Sequence, residues 1–303
     1  MDVKNVENLC GMVKMKSNYI KDPFNYMGSK FKLLDQIYNL FPESEIIFDI
    51  FGGSGCVGIN SSFQNVVYND ALPQLTEILK YFKENKAENI ISEIELIIKK
   101  YNLSKSNEQE FLDFRKFYNE NKEQLSPIYL YCLILYSFNY QIGFNSNNEF
   151  NVSFGRERSS FNKAIKDRLP KYIGLIQNKN FMVTNSRFNE LIDFIISKNI
   201  NSSFVYLDPP YFCSDDSYSR TKSIKWTEEL EILLYKKCDE LNEAGIKFAV
   251  SNVFSNNNKN NLILQNWAKK YNTHYLDISY NNCNYQKDKD SKNQEVLITN
   301  YMK

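Results

Sequence analysis

The sequence is short of the side chains that most often build metal centres. It has one histidine, His274, and six scattered cysteines (Cys10, Cys56, Cys132, Cys213, Cys238, Cys283) with no CxxC pair, which argues against a zinc site. No Ser, Cys or acid motif stands beside His274, so it is assigned a structural place. Long apolar runs are missing too: none approaches the ~20 residues of a membrane span, and no signal peptide opens the chain. The expectation is a cytoplasmic protein of a reducing compartment, with no membrane partner. Nor does one sign of charge dominate. The net charge is +1 from 37 Lys and Arg against 36 Asp and Glu, so only a local asymmetry speaks for a polyanionic partner. What is plentiful is aromatic surface, with 21 Tyr and 22 Phe in 303 residues. That length supports one large domain or two ordinary ones.

One stretch organises the rest: Ser203-Phe204-Val205-Tyr206-Leu207-Asp208-Pro209-Pro210-Tyr211. Its aromatic and aliphatic run favours a buried strand, and two prolines cannot supply ladder N–H groups, so the strand stops at Asp208. In an open α/β sheet, the carboxyl end of a strand faces the ligand crevice.

Upstream, Pro23 to Lys30 precedes Phe31, Leu33, Leu34, Ile37, Leu40 and Phe41 at helical spacing, with Ser29 as the expected cap and Gly28 in a tight entry turn. Residues 1–22 read as a short helix or a loosely held arm. Between residues 14 and 32, Lys14, Lys16, Lys21, Lys30 and Lys32 face only Asp22. A strand over Glu45 to Phe51 then runs into Gly52-Gly53-Ser54-Gly55-Cys56-Val57-Gly58, whose last six residues spell GxGxxG. Glycines after a strand let a ligand approach the following helix N-terminus. By that pattern alone a nicotinamide-dependent oxidoreductase is one reading, with Asp70 near the place of a ribose-binding acid. Asp49 favours another. A carboxylate just before the glycines suits a ligand carrying positive charge, and S-adenosyl-L-methionine has a sulfonium and an ammonium. Val66 to Asp70 is the expected second strand, its acid able to accept both ribose hydroxyls.

From about residue 73 to 140 the periodicity is helical. Ser106-Asn107-Glu108-Gln109 is the expected capping box, and Ser126-Pro127 starts a further helix. The insertion, roughly a hundred residues, is long enough for a subdomain. The expected division is a sheet-bearing part, residues 1–72 and 168–303, and an inserted part, residues 73–167. Within the latter, amides alternate with aromatics from Asn139 to Arg156 around a turn at Ser146 to Asn148, which predicts a hairpin. Asn139, Gln141, Asn145, Asn151 and Ser153 are the candidate base-reading side chains, since amides bond base edges and aromatics stack or wedge. Arg156, Arg158, Lys163, Lys166, Arg168 and Lys171 follow against only Glu157 and Asp167. Beside that hairpin, this reads as a surface for tracking phosphates. Further strands are predicted at Phe181 to Thr184, Ser203 to Leu207 and Ile246 to Asn252, with a helix from Thr227 to Asn242 closed by Gly245. Tyr275 to Tyr280 and Glu295 to Tyr301 read as a terminal hairpin with a long polar tip from Asn281 to Gln294. The total is about seven strands.

Three strand ends converge in this reading: the Asp49 loop, Asp70, and Asp208 to Tyr211. An exocyclic aromatic amine is a poor nucleophile that needs hydrogen-bond acceptors more than a strong base. Asp208 and the Pro209 carbonyl can each accept one of its N–H bonds, and Tyr211 can stack on its ring. A base inside a duplex must be flipped out to reach them. No cysteine follows a proline, so the covalent Pro-Cys route of cytosine C5 methylation has no support.

In these motifs the chain resembles the Dam-type DNA adenine-N6 methyltransferases of bacteria and phages, from about Pro23 to Tyr301. The resemblance implies a Rossmann-like α/β fold with a mixed seven-stranded sheet, an inserted helical target-recognition subdomain, S-adenosyl-L-methionine as methyl donor and double-stranded DNA as partner. Position by position it implies that Tyr26, Gly28 and Lys30 help hold the donor, Lys30 also touching DNA. Asp49, Phe51, Gly53 and Gly55 match the donor loop and Asp70 the ribose-binding acid. Asp208, Pro209, Pro210 and Tyr211 match the catalytic motif, Asp208 also counting among the donor-binding residues. Arg156 and Arg158 fall at the end of the recognition stretch. In that stretch Gly143 stands where members carry a guanine-reading arginine, and Ser153 where they carry proline, so the family's familiar GATC target loses its support. The rival readings are a catalytically silent DNA-binding subunit of this fold, the nicotinamide-dependent oxidoreductase, and a methyltransferase of RNA or of cytosine N4. A restriction-modification role would add a cognate restriction endonuclease as partner. The target site, such a role and the oligomeric state are not legible in the sequence.

Overall fold

The structure, a computed structural model, describes residues 19–24, 26, 28–212, 226–256, 259–277 and 295–302. The polar opening over residues 1–18, the loop over 213–225 and the tip over 278–294 lie outside them, as do Lys14 and Lys16. A 3-10 turn, Lys30–Leu33, leads into α1 (Leu34–Asn39), followed by β1 (Ile46–Asp49), α2 (Cys56–Asn60) and β2 (Asn65–Asn69). The helical insertion holds α3 (Pro73–Glu84), α4 (Ala87–Lys100), α5 (Glu108–Asn121), α6 (Pro127–Tyr136) and α7 (Lys163–Gln177). The sheet resumes with β3 (Asn180–Thr184), α8 (Phe188–Ser197), β4 (Ser203–Leu207), α9 (Glu228–Glu243) and β5 (Lys247–Val253). Two-residue strands β6 (Ser255–Asn256) and β7 (Lys259–Asn260) precede α10 (Leu262–Ala268), β8 (Asn272–Leu276) and β9 (Glu295–Thr299).

Seven strands form one sheet in the order β3-β2-β1-β4-β5-β9-β8. The first five pair in parallel, and β9 runs antiparallel between β5 and β8. Chain order reverses between β1 and β4, the point at which doubly wound sheets open a ligand crevice. Asp49 pairs in register with Tyr206 across that point, so the glycine loop after β1 and the acid after β4 emerge side by side. β4 is buried on both faces, which is why it reads as an unbroken apolar run. Its alternate residues serve two cores. Phe204 and Tyr206 join Phe41, Ala249, Leu297 and the helical insertion, while Val205 and Leu207 join α8, α9 and α10. Sheet and insertion share the first of these cores through Phe24, Phe82, Tyr131 and Tyr172.

Several local expectations are corrected. Ser29 does not cap the first helix; its hydroxyl donates to Asp22 Oδ2, because that buried carboxylate also gathers the Phe24 and Tyr26 N–H groups. The capping box at Ser106 does not form, since Asn107 occupies the cap and its N–H donates to Ser104 Oγ. Ser126 does cap α6, accepting from Ile128 N–H. The Asn139 to Arg156 stretch doubles back antiparallel but without a ladder. It is held by single bridges at Ser137–Phe154 and Phe144–Phe150 and by Asn119 and Arg115 reaching in from α5. The last strand pair begins at Asn272, earlier than the pattern suggested, and His274 lies within it with Nε2 3.2 Å from Thr299 Oγ1. Among the described residues no helix is long and apolar enough to cross a membrane.

Candidate active site

The glycine loop takes its shape from backbone that side chains would obstruct. Gly53 and Gly55 have φ of +50° and +73°, a region L-residues disfavour. The Tyr26 ring lies against Gly53, 3.1 Å from where a Cβ would stand. Tyr68, fully buried on β2, donates its hydroxyl to Gly53 carbonyl at 2.6 Å, and Tyr172 of α7 donates to Ser54 carbonyl. The expected donor-binding residues Tyr26, Gly53, Gly55 and Asp70 therefore meet at one loop, while Gly28 (φ +81°) lies in the turn that leads to Lys30.

The two acids near the loop have different settings. Asp49 is 1% exposed, and its Oδ2 accepts from Gly58 N–H at 3.0 Å. It ties the first turn of α2 to the end of β1 instead of opening onto the crevice. Burial, opposed only partly by that N–H and reinforced by Asp208 and Asp70, pushes its carboxyl up to about 7. Asp70 is only half-buried. Its Oδ2 accepts from Gly53 N–H and its Oδ1 from Leu72 N–H, which aims the carboxylate and leaves each oxygen a second lone pair. Burial raises its pKa, and the two N–H groups hold that rise back.

Asp49 gives a signed pH dependence. The folded protein keeps its proton up to about pH 7, whereas the unfolded chain releases it near 3.8. Between those values the native state binds more protons, so this group's contribution to stability falls as pH rises and is level above the window. Asp49→Asn keeps an acceptor for Gly58 without a titrating charge. The variant's unfolding midpoint is expected to decline less than the parent's between about pH 4 and pH 7, read by thermal unfolding across that range. Equal slopes would remove Asp49 as a source of the dependence.

At the end of β4, Asp208 meets Lys30, which is 5% exposed: the ammonium lies 2.9 Å from Asp208 Oδ1. It also donates to Tyr211 hydroxyl at 2.5 Å and sits 4.8 Å from that ring's centroid. Tyr211 in turn donates to Glu295 Oε1 at 3.4 Å. Burial alone would lower the Lys30 pKa, but the Asp208 and Glu295 carboxylates more than offset it and hold the ammonium above its ordinary value. Asp208 is raised by burial and pulled back by Lys30. Among the described residues the crevice thus gathers three carboxylates, Asp70, Asp208 and Glu295, against the Lys30 ammonium, while Asp49 stays buried on Gly58 N–H.

Two parts of this site were not singled out in the sequence. Glu295 opens an ordinary strand and carries no motif. Around the expected Phe51 pack Phe188 and Trp226, their ring centroids 5.5 and 5.6 Å from its own, and Trp226 Nε1 donates to buried Glu231 at 2.5 Å. Trp226, one of two tryptophans in the chain, was the available signal.

The expected DNA-facing residues divide. Asn139, Asn151, Ser153, Arg156 and Arg158 are exposed, whereas Gln141 and Gly143 are buried. Asn145 is committed to its turn, accepting from Asn147 and Glu149 N–H and donating to Glu149 Oε2. Asn139 and Tyr140 both have positive φ, 52° and 56°, backbone strain of a kind that clusters at functional sites. Arg156 and Lys166 are paired with Glu108 and Glu95, so the basic strip is less lopsided than its own sequence suggests.

Residues 26–296 match the family model described as D12 class N6 adenine-specific DNA methyltransferase. The chain is 42% identical over 292 residues to the type II methyltransferase M.FokI of Planomicrobium okeanokoites, an alignment covering 95% of this chain and 44% of that protein. It is 40% identical over 294 residues to the modification methylase StsI of Streptococcus sanguinis, covering 95% and 44%. With the DNA adenine methylase of Escherichia coli K12 it shares 23% over 256 residues, covering 84% and 86%. The chain spans less than half the length of the first two relatives.

Proposed function

Because the chain belongs to the D12 class N6 adenine-specific DNA methyltransferases, we propose that this crevice methylates the exocyclic amine of adenine in DNA with S-adenosyl-L-methionine as donor. The observation that carries the reading is the pairing at the switch point: a glycine loop ringed by acids on one side, and Asp208 with the Tyr211 ring on the other. A crevice holding more carboxylates than cations favours a donor with sulfonium and ammonium charges. It disfavours a nicotinamide dinucleotide, whose pyrophosphate would face the Asp70 carboxylate.

The residues fit the donor. Gly53 and Gly55 give the loop its positive-φ turn, Asp70 has lone pairs free for ribose hydroxyls, and Phe51, Phe188 and Trp226 offer an apolar wall. When bound, it supplies an electrophilic methyl group. Asp208 and the Pro209 carbonyl accept the two N–H bonds of the target amine, holding electron density on nitrogen, while Tyr211 supports the flipped ring. The proton that the nitrogen must lose passes to the Asp208 carboxylate. Asp49 acts indirectly, fixing the loop through Gly58 N–H. Residues 73–167 are the target-reading part in this proposal. Exposed Asn139, Asn151 and Ser153 face bases, and Arg156 and Arg158 face phosphates. A restriction endonuclease as partner is suggested by relatives named as modification methylases.

Calorimetry tests the donor. S-adenosylmethionine is expected to bind at least tenfold more tightly than NAD⁺; the reverse order would refute the charge argument. Arg158 is exposed at the end of the recognition stretch. Arg158→Ala is expected to weaken binding to DNA of any sequence and to lower the slope of log K against log salt by about 1. An unchanged slope in a salt titration would remove it from the phosphate-tracking surface.

A further inference from the structure

Lys30 sits where the target amine belongs. Its nitrogen is bonded to Asp208 Oδ1 at 2.9 Å and lies 4.8 Å from the Tyr211 ring centroid, the two contacts that the proposed reaction needs for adenine N6. An ammonium holding that oxygen and that ring has to give way before a base can take them. It cannot simply be set free in the interior, because a buried charge without a partner is costly wherever it goes.

The neighbouring side chains offer it somewhere to go. Glu295 is one hydroxyl away, since Tyr211 accepts from Lys30 at 2.5 Å and donates to Glu295 Oε1 at 3.4 Å. Its other oxygen, Oε2, is buried and has no hydrogen-bond partner. Two more buried oxygens without partners, Tyr206 hydroxyl and Ser251 Oγ, belong to adjacent strands β4 and β5. Ser251 pairs in register with Leu297, two residues along β9 from Glu295 and therefore on the same face. An unpaired buried carboxylate oxygen beside a shared ammonium is an acceptor in waiting. Burial raises the Glu295 pKa and Lys30 lowers it, which places the two charges in mutual influence.

We propose that Glu295 is the second seat of the Lys30 ammonium, which leaves Asp208 to the target amine by turning to Glu295 Oε2. Glu295 is thus a positioning residue: it acts on the target base through Lys30. This rests on the methyltransferase reading above. It also makes base entry conditional on the lysine's move, so an amine weaker than the ammonium as a partner for Asp208 can still displace it.

The test is a double-mutant cycle of Glu295→Gln with Lys30→Met, read in two ways on the full chain. One readout is methyl incorporation into unmethylated DNA; the other is calorimetric binding of adenosine to protein saturated with S-adenosylhomocysteine. With Lys30 present, Glu295→Gln is expected to weaken adenosine binding and slow transfer by about tenfold to a hundredfold. In the Lys30→Met background it is expected to change adenosine binding less than about twofold. Glu295→Asp, which keeps the charge, recovers part of the loss. Lys30→Gln replaces Lys30→Met if the latter does not fold. Equal losses in both backgrounds, or no loss with Lys30 present, would overturn the second seat while leaving methylation standing. If the parent chain transfers no methyl to DNA, the functional reading fails instead, and the adenosine arm still decides the seat.

Discussion

Asp208→Ala is expected to slow methyl transfer by about a hundredfold to a thousandfold while S-adenosylmethionine still binds, because in the proposed reaction the substitution removes an acceptor of the amine and leaves intact the glycine loop proposed to hold the donor. The amine's lone pair is delocalised into its ring, so the rate depends on drawing its N–H bonds toward acceptors as nitrogen becomes the nucleophile. Asp208 stands at the end of a strand buried along its whole length, which fixes its carboxylate more firmly than a loop would. Loss of the carboxylate leaves Lys30 with Tyr211 and Glu295 as neighbours, so the fold is expected to survive. Single-turnover transfer, with donor affinity measured in parallel, checks this. Turnover within tenfold of the parent would mean that amine activation lies elsewhere, and equal loss of donor binding would mean that the acid serves the donor.

The second large effect concerns the loop. Gly52→Ala is expected to lower donor affinity by tenfold or more, although its φ needs no glycine. A Cβ there would stand 2.2 Å from Tyr68 Cε2, inside van der Waals contact. Tyr68 has no easy retreat, being fully buried and holding Gly53 carbonyl through its hydroxyl at 2.6 Å. The loop must therefore move away from β2, carrying Gly53 N–H off Asp70. Overpacking of this kind costs about 1–3 kcal/mol. Calorimetry with S-adenosylmethionine reads the binding and thermal unfolding reads the strain. Parental affinity would show that the loop position is not what holds the donor.

What could be read from the sequence was local. The apolar run ending at Asp208 and the glycines after β1 specify their own geometry, since a proline pair and a positive φ act within a few residues. The sheet's switch point then brought Asp49 and Tyr206 into register. Features that depend on distant chain were hidden. Glu295 reaches Tyr211 only because β9 inserts antiparallel between β5 and β8. Arg156 and Lys166 meet Glu108 and Glu95 only because α5 and α4 fold over them. Asp49 shows a subtler limit: the residue was found, but its direction was not, because the pull of Gly58 N–H on its carboxylate comes from a helix that sequence spacing does not orient. The same competition for partners undid the expected caps, where Asp22 took Ser29 and Ser104 took Asn107.

The most direct measurement is the identity of the product. Unmethylated DNA is incubated with the chain and methyl-labelled S-adenosylmethionine, then digested to nucleosides and separated. The expected result is label in N6-methyl-2′-deoxyadenosine, lost in the Asp208→Ala variant. Label in N4-methyl-2′-deoxycytidine, or none in DNA at saturating DNA and donor, would contradict adenine methylation at Asp208.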